Sequence, residues 1–280
     1  MISILRSPAE LRAWRSGLGG ATLGLVPTMG ALHAGHVSLM ALSKRRAEIT
    51  IASIFVNPLQ FGPGEDLSRY PRPLENDLAL LEAAGVDALF LPTADDLYPP
   101  GASTFVVEET VSAPLCGAFR PGHFRGVATV VLKLLNLVQP DLAFFGQKDA
   151  QQCAVLERMV RDLDVPVELV RGPIVREPDG LALSSRNVYL SPAERQAAPA
   201  IFRSLSAART AYQGGERDAR RLEAIGRAVL EAEALVRLQY WQARHPQSLA
   251  ALDRVGHEGA LLAVAANLGG TRLIDNVVLG

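Results

Sequence analysis

Cysteine is scarce: the 280 residues contain two, Cys116 and Cys153, outside any Cys-x-x-Cys pair and away from ligand-spaced histidines. That excludes a disulfide framework and a cysteine-based zinc site, and predicts two buried small residues in a reducing compartment. Charge of one sign is missing too, since 28 basic and 29 acidic side chains leave a net charge of -1. Phosphate-backbone binding normally shows a clustered basic excess, so nothing electrostatic argues for a nucleic-acid partner. Lys44-Arg45-Arg46 reads instead as the solvated end of a helix. No apolar run approaches the roughly 18 residues of a membrane span. Val127 to Val138 is the longest candidate, and Lys133 and Asn136 interrupt it. Arg6, Glu10, Arg12 and Arg15 break any signal-peptide core. The expectation is a cytoplasmic protein with no membrane partner.

What is present is core-forming material. Hydrophobic residues make up 49% of the chain, enough for one large domain or two ordinary ones. The first half alternates short apolar runs with helical patterns, the signature of βαβ units on a parallel sheet. Ser7-Pro8-Ala9-Glu10 is a helix start, with Ser as cap, Pro in the first turn and Glu three after the cap. Strands are expected at Thr22 to Val26, Ile49 to Val56, Val86 to Leu91, Leu142 to Phe145 and Val165 to Val170. Helices are expected from Gly35 to Arg46, Pro73 to Ala84, Val127 to Val138 and after Asp149 to about Leu163. The loop Asn57 to Arg72 is long and rich in Gly and Pro, as functional loops often are. Past Gly172-Pro173, Ser191-Pro192-Ala193-Glu194 repeats the capping signal and opens one long helix to Gly214-Gly215; another helix and then strands of a small mixed sheet, Val236 to Ala243, Ala260 to Ala266 and Leu273 to Val278, follow. The boundary is placed at 174, dividing the chain into domains 1–174 and 175–280.

Four segments carry candidate chemistry. Pro27-Thr28-Met29-Gly30-Ala31-Leu32-His33-Ala34-Gly35-His36 joins a strand to a helix, where backbone N–H groups attract anions and glycine admits a phosphate close to the main chain. Two histidines three apart can both donate to phosphate oxygens. The Gly30-x4-Gly35 spacing is not a P-loop, because His36 stands in place of Lys and no Ser or Thr follows; no G-x-G-x-x-G or His-Glu-x-x-His is present. Alone, the motif is equally a turn with two incidental histidines. Gly146-Gln147-Lys148-Asp149-Ala150-Gln151-Gln152 begins a helix at another strand's carboxyl end, where open α/β sheets gather ligands. Lys148 can neutralise phosphate charge, and Gln152 lies one turn further on. Leu183-Ser184-Ser185-Arg186 offers two hydroxyls and a guanidinium. Asn57 and Gln60 can hold hydroxyl and carboxylate groups without adding charge, and Arg120 can meet an anion. Each of these is also an ordinary polar turn when read singly.

In order, PTMGALHAGH, FVNPLQFGPGEDLSRYPR, GHFRGVATVVLKLLNLVQPDLAFFGQKDAQQ, LALSSRN and TRLIDN resemble the pantothenate synthetase (pantoate–β-alanine ligase) family, within the His-x-Gly-His nucleotidyltransferase superfamily. The resemblance implies a Rossmann-like α/β domain with a smaller α+β lid, a cytoplasmic homodimer, and a ligase using ATP and Mg²⁺. Pantoate would attack the α-phosphate of ATP to give pantoyl adenylate and pyrophosphate; β-alanine would then displace AMP. By matched position, Met29 to His36 would contact ATP, with His33, His36 and Lys148 catalytic and His36 the proton donor. Gly146, Gln147, Lys148, Asp149, Val175, Leu183, Ser184, Ser185 and Arg186 would complete the ATP site. Gln60 and Gln152 would hold pantoate, with Gln60 also near β-alanine and Asn57 helping line that pocket; Arg120, a further substrate-binding candidate, falls where the family has a loop arginine. Gln147 stands where Glu is common, Leu183 where Met is, and Asn76-Asp77 where an acidic pair is; Arg237 to Ser248 departs from the lid pattern. An adenylyltransferase of the same superfamily, which keeps AMP on its product, and a non-catalytic nucleotide-binding protein are the alternatives.

Overall fold

The structure, a computed structural model, describes residues 2–280. The chain opens with β1 (Ser3–Leu5) and α1 (Pro8–Ser16), continuing through β2 (Leu23–Thr28), α2 (Ala34–Arg46) and β3 (Ile49–Ile54). Then come α3 (Leu74–Ala83), β4 (Ala88–Phe90), the short α4 (Ala94–Leu97) and α5 (Cys116–Phe119), and α6 (His123–Val138). β5 (Leu142–Gly146), α7 (Ala150–Asp162) and β6 (Glu168–Gly172) finish the first sheet. α8 (Pro192–Ala197), α9 (Ala200–Gln213) and α10 (Ala219–Glu231) precede β7 (Val236–Arg244), β8 (Ala260–Leu268) and β9 (Thr271–Leu279).

Six strands form a parallel sheet in the order β1-β4-β3-β2-β5-β6. Its strands are apolar on both faces because helices cover both. Leu25, Ile51, Phe90 and Phe145 point into one cluster with α1, α6 and α7. Val26, Ala52, Leu89 and Phe144 point into the other with α2 and α3. The chain runs outward in opposite directions from the middle of this sheet, so a topological switch point lies between β2 and β5. These two pair only at Gly24–Leu142 and Leu25–Ala143. Pro27 carries no N–H for a ladder, and beyond Leu25 the two strands part, opening a crevice at their carboxyl ends.

The second sheet is antiparallel throughout, not mixed, in the order β7-β8-β9 with a bulge between Leu238 and Tyr240. Ala260, Leu262, Val264, Ala266 and Leu268 of β8 pack against α8 to α10. The alternate residues Leu261, Ala263 and Ala265 pack into the core of the parallel sheet. The helix expected from Ser191 onward divides at Pro199, which lacks the amide a continuous helix would need, into α8 and α9. The strand expected at Val165 to Val170 is shifted to Glu168–Gly172, and β1 was not foreseen at all, being three residues long. Among the described residues, no helix is long and apolar enough to cross a membrane.

Candidate active site

The crevice between β2 and β5 holds a cavity of about 230 Å³. Met29, His33, Gly35 and His36 line it from the first turn; Asn57 and Gln60 from the loop after β3; Gly146, Lys148, Asp149 and Gln152 from the end of β5 and α7. Val175, Leu183, Ser184, Ser185 and Arg186 close it from beyond β6, and Arg120 and His123 sit at its edge. Segments more than 150 residues apart in sequence, Met29 and Arg186 among them, thus converge on one space. Gly30, Ala31, Leu32, Ala34 and Gln147, expected on ATP, do not line it.

The first turn is fixed by Asp77, a residue to which the sequence assigned no role. Asp77, 1% exposed on α3, accepts from the Ala31 amide (2.9 Å) through Oδ2 and from the Leu32 amide (2.7 Å) through Oδ1. Gly30 adopts a φ of 79° in this turn, and a Cβ there would lie 3.0 Å from Asp77 Oδ2. Gly30 N–H donates to Thr28 Oγ1 (3.1 Å) and Gly35 N–H to His33 Nδ1 (3.1 Å). The backbone donors expected to cradle phosphate are therefore largely committed within the chain, and the side chains are what face the cavity. Of Asn76-Asp77, standing where the family has an acidic pair, Asp77 is buried with each carboxylate oxygen held by a main-chain N–H group.

His33 caps α2, and His36 Nδ1 accepts from His33 N–H (3.3 Å), a reciprocal capping box built from imidazoles with ring centroids 4.1 Å apart. Since both Nδ1 atoms accept, each neutral ring carries its proton on Nε2. Burial, followed by the Lys148 ammonium, lowers the pKa of His33 to about 4, against a smaller opposing effect of Asp149. Burial, His33 and Lys148 lower that of His36 to about 3. The free site thus presents two neutral N–H donors beside a cation. Among the described residues Lys148 makes no ion pair, and its turn is clamped from β9, where Asn276 Nδ2 donates to the Gln147 (2.9 Å) and Lys148 (3.0 Å) carbonyls. Gln147 turns away from the cavity: its Nε2 donates to Asn276 Oδ1 (3.1 Å) and its Oε1 accepts from Arg171 (3.3 Å).

Asn57, also 1% exposed, donates to Gln60 Oε1 (3.0 Å) and the Gly126 carbonyl (3.1 Å) and accepts from Tyr98 Oη (2.9 Å). With its donors and acceptor engaged, it aims Gln60, whose Nε2 donates to Met29 Sδ (3.0 Å). The Gln152 amide has no hydrogen bond within the described chain and is free in the cavity. Both arginines expected on anions are paired with the chain's own carboxylates. Arg186 holds Asp66 by two bonds (2.8 and 2.9 Å), and Arg120 holds Glu65 likewise (2.7 and 2.6 Å). Arg120 also donates to His123 Nε2 (2.9 Å), and His123 Nδ1 donates to the Gln60 carbonyl (2.9 Å). Burial and Arg120 lower the His123 pKa to about 4. Ser185 Oγ bonds Tyr70 Oη (3.1 Å). Sequence reading missed Asp77, Glu65, Asp66, Tyr70, His123 and Asn276 as supports. Glu65-Asp66, adjacent acids in an otherwise sparsely charged glycine-rich loop, were the one visible signal.

A parallel sheet whose switch-point crevice gathers two neutral imidazoles, a free ammonium, hydroxyls and a guanidinium defines an α/β protein built to bind a phosphorylated ligand. The pantoate–β-alanine ligase family model matches residues 3–278. The chain is 54% identical to a pantothenate synthetase of Chloroflexus aurantiacus over 278 residues, 99% of this chain and 98% of that one. It is 52% identical to that of Geobacter sulfurreducens, at 99% and 98% coverage. Among solved structures, pantothenate synthetase from Thermus thermophilus superposes with a TM-score of 0.94 at 49% identity, covering 99% of each chain. The Francisella tularensis pantoate–β-alanine ligase, solved with β,γ-ATP and β-alanine, gives 0.82 at 32% identity over 99% and 98%. The chain belongs to the pantoate–β-alanine ligase family, and its activity is that of a ligase forming pantothenate.

Proposed function

We propose that the chain joins pantoate to β-alanine through pantoyl adenylate, binding ATP in the switch-point cavity. The observation that supports this most is the convergence of His33, His36, Lys148, Ser184 and Ser185 with the amides Gln60 and Gln152 around one space. A carboxylate is a poor acyl donor because its leaving group is oxide. Attack of a pantoate oxygen on the α-phosphorus, with departure of pyrophosphate, makes AMP the leaving group instead. The β-alanine nitrogen then attacks the acyl carbon, the acyl–phosphate oxygen bond breaks, and AMP and a proton are released. No enzyme nucleophile is required; positioning and charge stabilisation suffice.

His33 and His36 donate Nε2–H to phosphate oxygens. Neutral in the free site, His36 stabilises developing charge on the phosphates as a hydrogen-bond donor. Lys148 adds charge, and Arg186 joins the phosphates by exchanging Asp66 for them. Among the described residues no three His, Cys, Asp or Glu side chains gather as a metal site. Mg²⁺ therefore fits as an ion carried by the triphosphate, with Asp149 the chain's own carboxylate on the cavity wall; bound there it offsets phosphate charge. Residues 175–280 act as a lid over domain 1–174, and the working form is a cytoplasmic homodimer. Incubation with ATP, Mg²⁺ and both substrates is expected to yield pantothenate and free AMP. ADP as product, or AMP retained on the product, overturns the mechanism.

A further inference from the structure

We infer that Asn276 of β9 is a positioning residue for Lys148, setting where that ammonium stands among the nucleotide phosphates. This rests on the phosphate role proposed for Lys148 above. Of the five motifs that carry the family, TRLIDN, residues 271–276 of β9, supplies no side chain to the switch-point cavity. It reaches the site through the backbone that carries Lys148.

The chain does little locally to hold that backbone. The ladder between β5 and β6 ends at Gly146–Gly172, and Gln147–Asp149 then makes a single 3-10 turn, a geometry with poorly aligned hydrogen bonds. Among the described residues no side chain caps this turn or the start of α7. Lysine is a point charge on a flexible stem, so the placement of its main chain is what confines it.

Asn276, buried, supplies the missing restraint. Its Nδ2 donates to the Gln147 (2.9 Å) and Lys148 (3.0 Å) carbonyls, and its Oδ1 accepts from Gln147 Nε2 (3.1 Å). Turned the other way, the amide would set its oxygen against two carbonyls, so it has one way to sit. The departure at Gln147 fits this arrangement, because an ionised glutamate there could not donate to Asn276 Oδ1. Asn276 is in turn fixed from behind. Successive strand residues face opposite ways, so Asp275 lies on the side of the C-terminal core. Asp275 accepts two bonds from Arg176 (2.6 and 2.9 Å), whose guanidinium lies 3.9 Å from the Phe202 ring centroid. Its Oδ1 also accepts from the Asn276 backbone amide (2.7 Å). Lys148 thus takes its place from the second sheet, not from the strand that precedes it.

The test is a double-mutant cycle on Asn276 and Lys148 in the full-length enzyme, read by pantoate-dependent exchange of pyrophosphate into ATP. Asn276→Ala is expected to slow exchange at saturating substrate about tenfold or more, with the KM for pantoate within about twofold of wild type. Asn276→Asp keeps the shape and the bond from Gln147 but loses both donations. It should do the same, and it carries the test if Asn276→Ala does not fold. In a Lys148→Ala background either change should cost no more than about twofold, because the group it positions is already gone. Losses that multiply in the double variants overturn the inference and make Asn276 a structural residue. Exchange at the wild-type rate in both Asn276 variants overturns it as well. Normal exchange in Lys148→Ala alone would instead remove the phosphate role proposed for Lys148, and the inference with it.

Discussion

His36 couples local folding to the chemistry proposed for it. Its Nδ1 closes the cap of α2, and that bond leaves Nε2–H for the ligand. His36→Ala is expected to lower turnover by about 10²-fold or more, measured by AMP release, while circular dichroism shows the fold intact. The lowered pKa values of His33, His36 and His123 also make the free enzyme acid-sensitive. Below the ordinary value of 6.5 the unfolded chain takes up protons that these buried rings refuse, so stability drops as the pH drops until they protonate near 4 and 3. The slope is about 1.4 kcal/mol per pH unit for each proton withheld. Denaturant titrations between these limits should show a shallower loss in His36→Gln; an identical slope means His36 does not contribute. Asp77 is a second case. Asp77→Asn faces one of two buried amides with an NH₂ group, and a loss of about 1–3 kcal/mol is expected with no change in the Mg²⁺ requirement. An increased Mg²⁺ requirement with unchanged stability would make Asp77 a metal ligand after all.

Among the elements, α6 sets the cavity wall that carries Asn57 and Gln60. Its apolar face, spaced as Val127, Val131, Leu134 and Val138, was legible in sequence, but the helix begins four residues earlier at His123. Those added residues bring Gly126 against the turn Pro58–Gln60, where a Cβ would meet the Leu59 carbonyl at 2.3 Å. Gly126→Ala must push this turn away and with it Gln60. A loss of about 1–3 kcal/mol and a raised KM for pantoate, with the KM for ATP unaltered, are expected. Helical periodicity reports which face is buried, not what lies opposite it, so the sequence could not single out Gly126.

For the molecule as a whole, the loop after β3 links both sides of the cavity, through Glu65 to Arg120 and through Asp66 to Arg186. If Arg186 meets nucleotide as proposed, it must first give up Asp66. Asp66→Asn is therefore expected to tighten ATP binding by about tenfold or less, read by calorimetry. Unchanged affinity would mean that Arg186 keeps Asp66 when nucleotide is bound. Sequence alone determined the α/β alternation, the capped helix starts and the glycine and histidine turns, because these follow from local hydrogen bonding and short-range periodicity. The ordered motifs also carried the family. Only the tertiary structure decided that backbone amides of the first turn go to Asp77, that two expected anion-binding arginines rest on carboxylates, and that β9 clamps Lys148 through Asn276. Partners dozens to more than a hundred residues apart are chosen by packing and by the cost of burying unpaired polar groups, which no local pattern encodes.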